Sequence, residues 1–221
     1  MEVKKSDYYR NLRPEMLDII PAEVSMLLEV GCGEGAFAAN LKTKRAESGT
    51  PVEVWGVEMD EAAAGKAVAV LDRVLQGDVA AVLSDLPAGH FDCIVLNDVI
   101  EHVADPGALL GSLRPLLKPG GHLVASIPNV RYFFNVVDLA VHGRWDYTEE
   151  GILDRTHLRF FTRSSMIRLL EDCGFIVEAA VGINPTGSAG FRLVNLLTLG
   201  RWSDMKYLQF ACLARASRTV E

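Results

Sequence analysis

Two short segments carry the groups able to move a proton. Asp98-Val99-Ile100-Glu101-His102 places carboxylates at i and i+3 and an imidazole at i+4. On a helix these three side chains project to one side. Asp154-Arg155-Thr156-His157 places a carboxylate three residues before a second imidazole. An imidazole exchanges a proton near neutral pH, and a carboxylate behind it fixes its orientation. That chemistry suits His157 as a general base with Asp154 orienting it, and His102 as a further candidate. Asp98, Glu101, His102 and His157 together are also a mixed oxygen and nitrogen donor set of the kind that suits Mg²⁺, Mn²⁺ or Zn²⁺. Plainer readings stay open: His102 as a residue at a helix start, His157 as a ligand of its own loop, and no metal.

A glycine turn offers such groups something to act beside. Leu27-Leu28-Glu29-Val30 reads as a buried strand, and Gly31, Gly33 and Gly35 make a turn into a helix. A second apolar run, Val54-Trp55-Gly56-Val57, ends on Glu58. Strand, glycine turn, helix, strand and carboxylate is the order in which an α/β fold holds an adenosine-containing cofactor. Gly31, Gly33 and Ala36 satisfy the relaxed dinucleotide spacing, so spacing leaves NAD open. Charge separates the candidates. Glu29 and Glu34 bracket the turn; they repel a pyrophosphate and attract a ligand carrying a sulfonium and an ammonium. S-adenosylmethionine fits this turn better than NAD does, and Glu58 suits the ribose hydroxyls of either.

Five motifs extend the pattern: LLEVGCGEG (27–35), VWGVEMD (54–60), QGD (76–78), FDCIVLNDVIEHV (91–103) and LKPGGHLVASIPN (117–129). With these in order, the chain resembles the class I S-adenosylmethionine-dependent methyltransferases through most of its length. The resemblance implies a doubly wound, mostly parallel seven-stranded sheet of order 3-2-1-4-5-7-6, its last strand antiparallel, with helices on both faces. It implies a cofactor site built from Glu29, Gly31, Cys32, Gly33, Gly35, Glu58, Met59, Asp78, Asn97 and Asp98. Met59 covers the adenine, Asp78 accepts its exocyclic amine, and Asn97 and Asp98 face the methionyl end. The D-x-x-E-H run is similar to the E-x-x-E-H of ubiquinone-pathway O-methyltransferases and small-RNA 3′-end 2′-O-methyltransferases, which bind a divalent cation there. Asp98 stands where those families have glutamate, one methylene longer, so the expectation is no metal.

The elements that must position these groups alternate along the chain. Strands are expected at 26–30, 52–58, 73–76, 93–97 and 122–127, with helices at 35–43, 62–68 and 106–116, the pattern of βαβ crossovers and a parallel sheet. After Pro128 come a helix at 132–142, an aromatic stretch with Trp145 and Tyr147, a helix capped by Thr162, and strands at 175–181 and 207–214. Trp145, Tyr147, Phe160 and Phe161 are candidates to line an apolar acceptor pocket.

A single domain over 1–221 is expected, with 1–24 as an N-terminal arm whose Tyr8, Tyr9 or Arg10 closes over the cofactor. Segments 129–160 and 183–205 are the expected substrate-binding insertions. The chain has 221 residues, 49% hydrophobic and 23% charged, with a net charge of −7. That balance disfavours a long nucleic acid as substrate. No run approaches 18 apolar residues, and the four cysteines are scattered, so a cytoplasmic protein with reduced thiols is expected. These observations favour methylation of a small-molecule acceptor, at oxygen or at the nitrogen of a small amine. A nicotinamide oxidoreductase and a catalytically silent binding module compete with that reading.

Overall fold

Strand side chains alternate in direction, and the central strands use this to build two separate cores. Leu27, Cys93, Val95, Val124 and Ala211 face one way and pack with Phe37, Ala38 and Leu41. Leu28, Ile94, Leu96, Leu123, Ala125 and Phe210 face the other and pack with Leu109, Leu110, Leu113, Met166 and Leu170. Strands apolar on both faces can only be central, with helices covering each side.

A computed structural model describes residues 12–217. Tyr8, Tyr9 and Arg10, expected to close over the cofactor, lie outside that range. The seven strands are β1 (Met26–Val30), β2 (Glu53–Glu58), β3 (Arg73–Gln76), β4 (Phe91–Asn97), β5 (Leu117–Pro128), β6 (Phe175–Pro185) and β7 (Tyr207–Ala216). They form one sheet in the order β3-β2-β1-β4-β5-β7-β6, as the sequence implied. The first five pair in parallel, and β7 runs antiparallel to both β5 and β6.

The helices are α1 (Pro14–Leu17), α2 (Ala36–Glu47), α3 (Glu61–Ala67), α4 (Val79–Val82), α5 (Pro106–Leu113), α6 (Phe133–His142), α7 (Arg163–Asp172) and α8 (Ala189–Leu197). Thr162 caps α7 in a reciprocal box with Ser165, as its position before that helix implied. Asp60, Asp78 and Asp105 cap α3, α4 and α5 through their carboxylates. Two helices escaped the sequence reading. α4 is a single turn, and α8 interrupts the 183–205 insertion behind the N-cap Ser188. Phe133 of α6, Phe191 of α8 and Met205 form a satellite core that joins the two insertions.

Candidate active site

The cofactor-site candidates sit at or just beyond the carboxyl ends of β1, β2, β3 and β4, where open α/β sheets bind ligands, while Asp154 and His157 come from the segment between α6 and α7. Gly31, Gly33 and Gly35 all have positive φ, at 74°, 55° and 85°. The Gly31 and Cys32 amides donate to the Val57 carbonyl at 2.8 and 3.2 Å, which ties the turn to β2. A Cβ on Gly31 would stand 2.9 Å from Val99 Cγ2, and one on Gly35 2.7 Å from Leu71 Cδ1. Gly31 and Gly35 therefore exclude side chains on both steric and conformational grounds.

Glu58 closes over this turn. Its Oε2 accepts the Gly33 amide at 2.8 Å and its Oε1 the Asp60 amide at 2.9 Å. Each carboxylate oxygen accepts two hydrogen bonds, so one site per oxygen remains for a pair of hydroxyl donors. Asp78 Oδ1 is used by the Ala80 amide at 2.8 Å, and Met59 is 57% exposed beside the same rim. Glu34 pairs with Lys66 at 2.6 Å. Cys32 is buried, and burial holds its thiol far up in the protonated range.

Beneath the turn, Glu29 is only 2% exposed. Its Oε2 and both polar atoms of Asn97 are buried, and among the described residues the two side chains have only each other. Burial pushes the Glu29 carboxyl up to about 8; a hydrogen bond from Asn97 pulls the other way and the Glu58 charge adds to the rise. Buried polar atoms seldom lack a full set of partners, so this pair at a strand end suits a ligand. A cationic group there would offset both the desolvation and the missing bonds, so these residues fit a ligand that is cationic at one end and hydroxylated at the other.

Asp98 departs from the sequence expectation. It adopts a left-handed φ of 53° at the end of β4, and the following helical turn is a short 3₁₀ segment, Ile100–His102. Asp98, Glu101 and His102 therefore do not share one helix face. The Asp98 carboxylate turns toward β5 and β7 instead: Oδ1 accepts from Ser126 Oγ at 3.0 Å and from Gln209 Nε2 at 2.9 Å. Oδ2 pairs with the Arg13 guanidinium, which is itself buried and also meets Glu15 at 3.0 Å. Burial pushes the Asp98 carboxyl up, and the Arg13 charge pulls against it.

The two imidazoles meet across the site. The His102 and His157 rings lie edge to face with centroids 4.7 Å apart. One donor atom each from Glu101, His102 and His157 falls within 4.8 Å of the others. Asp98 is not among them, which removes one of the four candidate metal ligands. The Ile152 carbonyl accepts from His157 Nδ1 at 2.9 Å, which orients the ring. Asp154 Oδ1 takes the Thr156 amide at 2.7 Å and its hydroxyl at 2.6 Å. Thr156 then meets His102 Nδ1 with its carbonyl and its hydroxyl, each at 3.1 Å.

Phe160 stacks with Trp145, Tyr147 and His157 at centroid distances of 5.3, 6.4 and 6.5 Å, an aromatic wall beside the imidazoles. Phe161 points into the main core and leaves that set. Thr156, Ile152, Ser126 and Gln209 were not singled out from the sequence. Ser126 and Gln209 had a signal, as lone polar residues inside buried apolar strands.

Comparison with known proteins adds to this geometry. A family model described as a methyltransferase domain matches residues 4–180. The chain is 26% identical over 169 residues to the ubiquinone biosynthesis O-methyltransferase of Acinetobacter baumannii (strain AYE), covering 72% of this chain and 66% of that relative. It is 32% identical over 159 residues to a probable S-adenosylmethionine-dependent methyltransferase of Mycolicibacterium smegmatis, covering 71% and 54%. The match thus spans about two thirds or less of these relatives. Among solved structures, a possible histamine N-methyltransferase from Thermotoga maritima superposes with a TM-score of 0.62 at 20% identity, covering 95% of this chain and 89% of that one.

Proposed function

The chain belongs to the S-adenosylmethionine-dependent methyltransferase family, and from that premise we propose that it methylates a hydroxyl oxygen of a small-molecule acceptor. When bound, the cofactor supplies a methyl group on a sulfonium sulfur. This chain's residues supply binding, alignment and a proton acceptor. Glu58 holds the ribose hydroxyls with its two remaining acceptor sites, Glu29 and Asn97 receive the cationic end, and the glycine turn leaves room for close approach. Asp78 and Met59 flank the adenine.

The observation that carries the choice of oxygen is His157. It is buried, its ring is fixed through Nδ1 by the Ile152 carbonyl, and Nε2 is left to take a hydroxyl proton. A neutral amine needs no such base. Trp145, Tyr147 and Phe160 give the acceptor an apolar wall. The test is S-adenosylhomocysteine binding by calorimetry, followed by a hydroxyl-acceptor screen with His157→Ala. The reading expects binding lost in Glu58→Ala, and turnover lowered about 10²–10⁴-fold in His157→Ala with S-adenosylhomocysteine affinity intact. Equal turnover in His157→Ala would refute the role of the base.

A second reading rests on the juxtaposition of Glu101, His102 and His157. These three would hold a divalent cation, which activates a hydroxyl by lowering its pKa. Activity abolished by a chelator and restored by Mg²⁺, Mn²⁺ or Zn²⁺ selects this reading. Activity indifferent to the chelator selects the base.

A further inference from the structure

Away from the imidazoles, the same carboxyl rim holds a cleft of about 450 Å³ walled by Arg131, Arg163, Arg201, Thr162, Ser203 and Asp204. Three arginines and one aspartate line it, in a chain whose net charge is −7. Asp204 engages only Arg131, whose Nη1 lies 2.5 and 2.6 Å from its two oxygens. Arg163 is held by its Nε on the Ala180 carbonyl at 3.4 Å, with the guanidinium carbon 6.0 Å over the Phe210 ring. Its terminal nitrogens, and the whole guanidinium of Arg201, have no hydrogen-bond partner among the described residues.

Buried bonds fix the cleft to the site. Asn129, fully buried, donates to the Asp204 and Tyr207 carbonyls at 3.0 and 2.9 Å and accepts the Arg131 amide at 3.1 Å. The Val130 amide donates to the Phe161 carbonyl at 2.8 Å, which anchors Thr162 next to Arg131. Thr162 follows His157 by five residues, a span of at most ~17 Å when fully extended. The cleft and His157 therefore lie within the length of an extended acceptor molecule.

We propose that this arginine cleft binds an oxyanion, phosphoryl or carboxylate, carried by the methyl acceptor. The inference deepens the methyltransferase reading and rests on it for the acceptor's identity. Arg131 is neutralised and shapes the wall, while Arg163 and Arg201 offer the fork geometry that matches such groups bidentately. An adjoining cleft shares Ser203 and is lined by Phe191, Leu196, Leu199 and Tyr207. The anion is thus borne either by a soluble acceptor or by a lipid whose apolar part lies along those residues.

The test titrates the full chain, with and without S-adenosylhomocysteine, using phenyl phosphate. A second arm measures flotation with phosphatidylglycerol vesicles against phosphatidylcholine vesicles. Arg163→Gln/Arg201→Gln is compared with the wild type, and Arg201→Gln alone, altered only on an exposed turn, guards against misfolding. Saturable phenyl phosphate binding weakened at least tenfold in the double variant assigns the cleft to a soluble anion. Arginine-dependent capture by phosphatidylglycerol alone assigns it to a lipid headgroup. Wild-type binding that matches the double variant in both arms overturns the proposal. Failure of S-adenosylhomocysteine to bind the wild type would instead sink the methyltransferase reading, since the anion measurement does not require that ligand.

Discussion

Replacing Glu29 by Gln isolates the cost of the buried carboxyl under the glycine turn. Glu29 ionises near 4.5 in the unfolded chain and at about 8 in the folded one. Between those values the folded protein holds a proton that the unfolded chain has released. Wild-type stability therefore falls as pH rises, by about 1.4 kcal/mol per pH unit, and is about 5 kcal/mol lower above the folded pKa. Gln is a neutral group of the same shape and carries no such slope. In cofactor-free protein, Glu29→Gln should gain on the wild type by about 2.7 kcal/mol between pH 5 and pH 7. For a chain of this size that is a difference in melting temperature of roughly 5–11 °C opening across those two pH units. Thermal melts of both proteins at half-unit steps measure it, and the titration of every other group cancels in the difference. Parallel curves across that range would show that Glu29 is ionised in the folded protein, and the argument from its burial would fail.

Three further outcomes follow from single contacts. Gly31→Ala forces a side chain into a φ of 74° with its Cβ 2.9 Å from Val99 Cγ2. It should cost about 1–2 kcal/mol from the backbone alone, and calorimetry should show S-adenosylhomocysteine affinity down at least tenfold. Asn129→Ala removes three hydrogen bonds of a fully buried side chain and takes the acceptor from the Arg131 amide. Urea denaturation should report about 3 kcal/mol lost. Gly182→Ala would put a Cβ 2.1 Å from Tyr207 Cγ, so the Tyr207 ring must leave its seat on β6. The expected loss is about 1–3 kcal/mol, and combining it with Tyr207→Ala should cost less than the sum of the singles.

The sheet was legible because each strand carries its own local signature. β1 and β3 fall on the residues their apolar runs marked, and Thr162 marked the start of α7 by a hydroxyl placed to cap it. α8 was missed although its residues are spaced as in an amphipathic helix: nine residues make a short signal, and Gly187 and Gly190 on either side of the cap Ser188 read as loop. At the site, the glycines and Glu58 declare themselves because a turn of that shape admits few sequences. Asp98 did not, because helical spacing says nothing when one residue in the run turns left-handed. The Ile152 carbonyl was invisible in principle, since every residue carries one. Its position depends on how the loop from Thr148 to Asp154 closes, through the 2.9 Å bond from the Thr148 amide to the Leu153 carbonyl.

The place of β7 bears on how this protein is made. It follows the other six strands of the sheet in the chain, yet it lies inside the sheet between β5 and β6. Until residues 207–216 have been synthesised, β5 presents an open edge and β6 has no strand to join. An unpaired edge of that kind is a template for association with other nascent chains. The same strand carries Gln209, one of the donors to Asp98, and its first residues receive the Asn129 side chain. The pocket around Asp98 and the seat of Asn129 are therefore completed only when β7, the last of the seven strands in chain order, has joined the sheet.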